Sequence, residues 1–164
     1  MKQLFIIRHA KSSWDYSEWN DFERTLNNHG HQDAPAMATR LFNKKITIDA
    51  FVSSTAKRAF TTAVYFAAVY SVAEQDIIQV PELYHASVTT FYKVIGSLHN
   101  SYNSVAIFSH NPGITEFVNE LTNIQIANMP TCGIFGVSMP IDSWKHFATA
   151  KKQFLFFDYP KNII

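Results

Sequence analysis

The apolar positions of this chain form short continuous runs that alternate with longer stretches of helical period. The runs predict strands at 4–7, 49–54, 76–80, 104–109, 131–139 and 152–159. Apolar residues recur at helical spacing in 28–44, 56–70 and 89–98, and again after 112. This alternation predicts an α/β fold of three layers, with a mainly parallel central sheet and helices on both faces. Because no clear helix separates the last two strands, we expect at least one of them to be antiparallel or at an edge.

Two local signals refine this pattern. Asn111 followed by Pro112 predicts a helix start, with asparagine as the N-cap and proline at the first helical position. Cys132 lies in the predicted strand 131–139, where we expect a small buried apolar residue. As the one cysteine of the chain it cannot form an internal disulfide, and no cysteine and histidine spacing matches a zinc site.

Length and composition indicate one folded domain over residues 1–164, without repeats, linkers or low-complexity tracts. Hydrophobic residues make up 47% and charged residues 16%, which excludes a disordered chain. The formal net charge of +1 gives no global field that would favour nucleic acid or an anionic membrane. No signal-peptide core is present, and no apolar run approaches the roughly 18 residues of a membrane helix. We therefore expect a soluble, cytoplasmic protein.

Charged and titratable side chains follow three of the predicted strands. The first strand leads directly into Arg8 and His9, and the fourth leads into His110. The second is followed by Arg58 in the first turn of a helix, where a cation opposes the helix dipole. Arg24 lies in a loop between the first two strands. Because ligands bind beyond the carboxyl ends of strands in open α/β sheets, these side chains are candidates for one site.

Two imidazoles among guanidinium groups suit phosphoryl transfer. Arginine binds phosphate oxygens in pairs, helix N-termini attract anions, and an imidazole is a competent nucleophile. No metal and no cofactor is required, because the guanidinium groups neutralise charge on the equatorial oxygens. The lack of paired aspartates that would hold Mg²⁺ agrees with this interpretation. Arg8 would position phosphate while His9 attacks phosphorus.

The ordered motifs RHAKSSW, ERTLNNHG, SSTAKRAFTTA, ELYHAS and FSHNPG resemble the histidine phosphatase (phosphoglycerate mutase-like) superfamily. Within it, the chain is most similar to the compact, SixA-like branch of phosphohistidine phosphatases, from Leu4 to about Tyr159. The resemblance implies a metal-independent phosphatase that forms a phosphohistidine at His9. It also implies a phosphorylated partner protein as substrate, such as a phosphorelay domain or a transport phosphocarrier.

The resemblance also suggests roles for other residues. Arg8, Arg58 and His110 would line the phosphate pocket, with His110 contacting the transferred phosphoryl group. Arg24 matches an arginine that often precedes Pro-Leu in this branch, although threonine follows it here. Asn111 follows the second histidine, as is common in the branch. Arg24 and Asn111 are thus further candidates for phosphate binding.

The general acid is the main departure from the family pattern. Many members carry glutamate after Leu-Tyr, whereas this chain has His85 there and Glu82 three residues earlier. Either side chain is a candidate to protonate a leaving group, or none is needed, because a departing imidazole is easily protonated near neutral pH. The chain is too short for a large cap insertion, so we expect an open pocket that admits a side chain of another protein.

Other interpretations stay open at this stage. The same chemistry would serve small phosphomonoesters, such as sugar or nucleotide phosphates, and a non-catalytic phosphate-binding module is a third possibility. Arg24 is also consistent with an ordinary loop charge, and His85 with an exposed polar residue. The remaining histidines are expected at the surface: His29, His31, His99 and His146. Four serines near the strand ends are interpreted as turn, cap or phosphate-bonding residues, since no G-x-S-x-G elbow occurs: Ser12, Ser13, Ser53 and Ser54.

Overall fold

The computed structural model describes residues 1–14 and 20–162, which contain six strands and four α-helices. The strands are β1 (Lys2–Arg8), β2 (Ala50–Ser53), β3 (Ile78–Gln79), β4 (Ser104–Ser109), β5 (Ile134–Met139) and β6 (Gln153–Asp158). The helices are α1 (Asn28–Asn43), α2 (Lys57–Val69), α3 (Val88–Gly96) and α4 (Gly113–Leu121). None of the helices within these ranges is long and apolar enough to cross a bilayer.

All six strands belong to one sheet, in the order β3-β2-β4-β1-β5-β6. The first four strands of that order run parallel, whereas β5 pairs antiparallel with β1 and β6 pairs antiparallel with β5. The predicted α/β fold with a mainly parallel sheet is therefore confirmed, and both late strands are antiparallel. No large insertion interrupts the part of the fold that the structure describes.

Each face of the sheet carries its own apolar core. Along β1, Leu4 and Ile6 point into one cluster, which includes Phe91 of α3 and Phe117 of α4. The alternate residues of β1 point into the other cluster, which contains buried residues of α1 and α2. This alternation follows from the two-residue period of a strand, and it places helices on both faces.

Two predicted strands are each three residues longer than the observed ones. The strand predicted at 76–80 is reduced to Ile78–Gln79, because Glu74–Asp76 forms a 3-10 turn and β3 pairs only with β2 at the sheet edge. The strand predicted at 131–139 begins at Ile134. Cys132 lies in the preceding turn at a φ of 60°, so its predicted strand position is wrong, although it is buried.

The predicted cap of α4 is also wrong. The helix begins at Gly113, and the Asn111 side chain makes no capping bond. Its amide group donates to the Asn128 Oδ1 atom and the Met129 carbonyl, while its Oδ1 atom accepts from the Thr115 hydroxyl. Asn111 therefore ties the 128–129 segment to α4, because these partners occupy the groups that a cap would use.

Candidate active site

The strand register brings the two candidate histidines to one edge of the sheet. Arg8 at the end of β1 pairs with Ser109 at the end of the neighbouring strand β4. His9 and His110 follow these residues directly, and their ring centroids are 5.2 Å apart. Because β2 lies beside β4 and runs parallel to it, helix α2 starts at the same edge and supplies Arg58.

The His9 ring is buried and has a defined tautomer. Its Nδ1 atom lies 2.7 Å from the Ala10 carbonyl oxygen, which can only accept, so Nδ1 holds the proton. Nε2 therefore presents a lone pair, towards which the Nε–H of Arg58 points at 3.4 Å. Burial, together with the positive charge of Arg58, lowers the pKa of His9 to about 3. At neutral pH the ring is uncharged and suited to nucleophilic attack.

The His110 ring is held by Ser54, the residue that follows β2. Its Nε2 atom lies 2.8 Å from the hydroxyl of Ser54, which also accepts the backbone N–H of Ala56. Burial, and then the nearby His9 and Arg58, lower the pKa of His110 to about 2. Its Nδ1 atom is buried and has no hydrogen-bond partner among the described residues. A bound anion would accept a hydrogen bond from Nδ1 when this atom carries a proton.

Arg8 and Arg58 place two guanidinium groups beside the histidines. One terminal nitrogen of Arg8 donates to the Met129 carbonyl at 2.8 Å, while its buried Nε has no partner among residues 1–14 and 20–162. Burial, followed by the charges of Arg58 and Arg24, lowers the pKa of Arg8. This concentration of like charge favours an anionic ligand.

Asp21 links Arg24 and Arg58, and the sequence interpretation missed it. Its carboxylate accepts from Arg24 at 2.8 Å, from Arg58 at 2.9 Å and from the Tyr84 hydroxyl at 2.6 Å. Partial burial alone would raise the pKa of Asp21, but the hydrogen bonds from Tyr84, Arg24 and Arg58 hold it well below its ordinary value. Asp21 is thus ionised and orients the Arg58 guanidinium. The sequence signal that could have identified it is its position three residues before Arg24, at the spacing of an ion pair.

The remaining sequence candidates divide between two surfaces. His85 lines the same cleft as the histidines, with its Nε2 atom 3.8 Å from the Asp21 carboxylate and its side chain 63% exposed. Glu82 lines a different groove, next to β3 and α3, so the structure separates it from the cleft. Asn111 lies in the cleft lining, but its amide is engaged by the 128–129 segment.

These residues surround an open cleft of about 470 Å³ at the carboxyl ends of the parallel strands. The lining consists of Arg8, His9, Lys11, Ser12, Trp14, Asp21, Arg24, Asn27, Arg58, His85, His110, Asn111 and Thr131. Four cationic side chains and one carboxylate give it a net positive charge, as an anion site requires. Within the described residues, no group of three or more histidine, cysteine or carboxylate side chains is arranged to hold a metal ion.

Comparison with protein families gives a decisive match. The model of the histidine phosphatase superfamily (branch 1) matches residues 4–86, about half of the chain, and this range contains Arg8, His9, Arg24 and Arg58. The chain belongs to this superfamily. Its enzyme class is therefore that of a phosphatase. No curated protein matches the chain in a sequence comparison.

Solved structures of similar fold cover nearly the whole chain. The protein histidine phosphatase SixA complexed with tungstate is 24% identical with a TM-score of 0.82, over 98% of both chains. A protein of Agrobacterium tumefaciens assigned as a phosphohistidine phosphatase SixA is 23% identical with a TM-score of 0.81, over 97% of this chain and 98% of that one. The mycobacterial glucosyl-3-phosphoglycerate phosphatase complexed with VO3 is 13% identical with a TM-score of 0.74, over 97% of this chain and 100% of that one. The SixA-like fold predicted from the sequence is confirmed.

Proposed function

We propose that this phosphatase removes the phosphoryl group from a phosphohistidine of a partner protein, through a phosphorylated His9. The observation that supports this most directly is the unprotonated Nε2 atom of His9, which lies in a cationic cleft beside Arg58 and opposite His110. Neutral imidazole, two guanidinium groups and a second imidazole are together the groups that a two-step phosphoryl transfer requires.

In the first step, Nε2 of His9 attacks phosphorus in line with the bond to the substrate imidazole. A new N–P bond forms as the substrate P–N bond breaks, and the substrate ring leaves as neutral imidazole when its other nitrogen carries a proton. Arg8 and Arg58 neutralise charge on the equatorial oxygens of the transferred group. His110 contacts an oxygen of the same transferred group.

In the second step, water attacks the phosphorus of phospho-His9 and its proton passes to the phosphate produced. The Nδ1 proton of His9 remains bonded to the Ala10 carbonyl throughout, so the phosphorylated ring is cationic and departs as neutral imidazole. The carbonyl thereby stabilises the charged intermediate and fixes which nitrogen is phosphorylated. No metal ion is needed for either step.

Proton donation to a more basic leaving group, such as the alkoxide of a phosphomonoester, falls to His85 in this proposal. Its exposed imidazole lies at the edge of the cleft near Asp21, whereas Glu82 belongs to a separate groove. Arg24 contributes positive charge, although its three guanidinium nitrogens are engaged by Ser12, the Ser13 carbonyl and Asp21. Asn111 shapes the phosphate pocket through the 128–129 segment.

The open cleft favours a phosphorylated side chain of another protein, because no segment among residues 1–14 and 20–162 forms a cap over it and a displayed imidazole can enter directly. The likeness in fold to a protein histidine phosphatase supports this choice. Small phosphomonoesters are the second candidate, since a phosphatase of glucosyl-3-phosphoglycerate has the same fold. Tungstate and vanadate in these relatives are oxyanions of phosphate-like geometry.

The decisive experiment is to trap the intermediate. Wild-type protein is mixed with a histidine-phosphorylated phosphocarrier protein labelled in the phosphoryl group, quenched in alkali, and mapped by mass spectrometry. We expect acid-labile, base-stable label on His9. Label elsewhere, or turnover without labelled enzyme, would refute the mechanism.

Rates on small substrates separate the candidate substrate classes. The same protein is assayed with a panel of sugar and nucleotide phosphates, and kcat/KM is compared with that for the phosphoprotein. A higher kcat/KM on a small ester would favour the second candidate. Tight binding of tungstate without turnover of any substrate would indicate a phosphate-binding module.

A further inference from the structure

Trp14 stands at the mouth of the cleft with most of its surface in water. It is 77% exposed, the highest value among the large hydrophobic residues that the structure describes. Tryptophan is rarely left so exposed, because its indole offers a large apolar surface. The residue lines the same cleft as His9 and Arg58. An exposed indole at this place indicates a contact with a ligand, because exposed apolar surface beside a binding cleft is typical of interaction sites.

The indole is held in place by Arg24. The guanidinium carbon lies 3.3 Å from the Trp14 ring centroid. No other aromatic ring or cationic group among residues 1–14 and 20–162 contacts this indole. Arg24 is itself fixed by hydrogen bonds to Ser12, the Ser13 carbonyl and Asp21. Since Trp14 stays 77% exposed although the guanidinium lies over its ring, it keeps a preorganised aromatic surface open at the cleft mouth.

The geometry of attack directs the leaving group towards this surface. His9 is only 5% exposed and lies at the bottom of the cleft. In-line displacement places the leaving group opposite the attacking nitrogen, so it projects outward to the exposed part of the lining. The other ring there, His85, already packs against Tyr84 with centroids 3.9 Å apart.

We propose that Trp14 is the platform on which a planar leaving group stacks, and that this group is the imidazole of the phosphohistidine. This inference rests on the function proposed above. It assigns to Trp14 the selection of substrates whose leaving group is a planar ring over those whose leaving group is not planar. The indole face stabilises the flat imidazole in the bound substrate, while Arg24 holds the indole from its other side. Phosphoryl groups on ammonia or on alkyl oxygens gain nothing from this surface.

The test compares two substrates with the same P–N bond. Phosphoimidazole has the ring and phosphoramidate lacks it, so the ratio of their kcat/KM values isolates the contribution of the ring. We expect Trp14→Leu to lower the ratio about three- to tenfold, the range of one aromatic contact, and Trp14→Phe to retain most of it. Phe42→Leu is the matched control, because Phe42 is an exposed aromatic residue on α1 outside the cleft lining.

The outcomes separate this inference from the proposed function. Equal loss on both substrates in Trp14→Leu would mean that the residue only supports Arg24, and an unchanged ratio would mean that it contacts no ring; both overturn the inference. If the ratio of adenosine monophosphate to ribose 5-phosphate falls instead, a nucleobase is the occupant and the inference is wrong. Failure of wild type to cleave phosphoimidazole, with no label on His9, refutes the proposed function itself.

Discussion

The imidazole rings of His9 and His110 face each other with centroids 5.2 Å apart at the ends of two neighbouring parallel strands. Each ring is fixed by a hydrogen bond at one nitrogen, to the Ala10 carbonyl for His9 and with the Ser54 hydroxyl for His110. Because both rings are buried among positive charges, both are neutral at physiological pH. The pair can therefore contact one anionic phosphoryl group in the cleft that both rings line, with His9 as nucleophile.

Replacement of His9 by alanine is expected to abolish turnover without abolishing anion binding. The nucleophile is lost, so kcat should fall by at least about a thousandfold. The arginines remain, so tungstate affinity measured by calorimetry should stay within about tenfold of wild type. His31→Ala is the control, since the His31 side chain is exposed, lies outside the cleft lining and bonds the Tyr65 hydroxyl. Near wild-type kcat in His9→Ala would contradict the nucleophile assignment.

Removal of the Ser54 hydroxyl should leave the His110 ring in the site but without the contact that positions it. Ser54→Ala deletes the partner of the His110 Nε2 atom, and we expect kcat to fall about five- to tenfold, the equivalent of one hydrogen bond. Ser53→Ala is a matched control, because the Ser53 hydroxyl is equally buried but donates to the Ser54 carbonyl. Equal kcat in the two variants would show that this contact does not position His110.

How far the site is predictable depends on whether a residue lies next to a strand end. Arg8 ends β1, and His9 and His110 directly follow β1 and β4, so a parallel sheet brings them together without further information. Asp21 begins a 3-10 turn (Asp21–Glu23) that bonds Arg58 and Tyr84, and no local pattern encodes those contacts.

Competing partners explain the errors in local structure. Asn111 has the side chain of a helix cap, but Thr115, Asn128 and Met129 use its polar groups instead. The apolar run at 76–80 has strand composition, yet with β2 as its single neighbour only Ile78–Gln79 is held in register. In both cases tertiary contacts override a correct local preference.

Stability should decline on acidification below pH 6.5. The pKa values of His9 and His110 are about 3 and 2 in the folded protein, against 6.5 ordinarily. Between pH 6.5 and 3 the unfolded chain therefore binds protons that the folded protein excludes. The free energy of unfolding decreases as the pH is lowered through this range. Each histidine contributes up to about 1.4 kcal/mol per pH unit, so we expect a loss of about 1 to 3 kcal/mol from pH 6.5 to 5.5 in urea denaturation.

Glutamine variants identify the groups responsible for this pH dependence. The double variant His9→Gln/His110→Gln should show a flatter dependence of unfolding free energy on pH, because neither amide titrates. His29→Gln, which alters an exposed histidine of α1, should keep the wild-type slope. An unchanged slope in the double variant would assign the acid sensitivity to other residues.

Chelators should leave the enzyme active. Arg8 and Arg58 supply the positive charge that a divalent cation would otherwise bring to the equatorial oxygens. We expect the initial rate after dialysis against EDTA to equal that of untreated protein, with Mg²⁺ giving no stimulation. A rate lost on chelation and restored by Mg²⁺ would reject the metal-independent mechanism.

Gly113 allows α4 to begin directly against the segment that carries His85. A Cβ atom at this position would overlap the carbonyl oxygen of Ala86, which is backbone and cannot rotate away. We therefore expect Gly113→Ala to lower the free energy of unfolding by about 1 to 3 kcal/mol, measured by urea denaturation. Gly96→Ala is the control, because the atom nearest to a Cβ added at position 96 is the Trp144 carbonyl oxygen at 4.0 Å. This substitution should be neutral or should raise the free energy of unfolding by about 0.5 kcal/mol. Equal stability of the two variants would show that the 85–86 segment moves freely, and His85 would then lack the fixed position that proton donation requires.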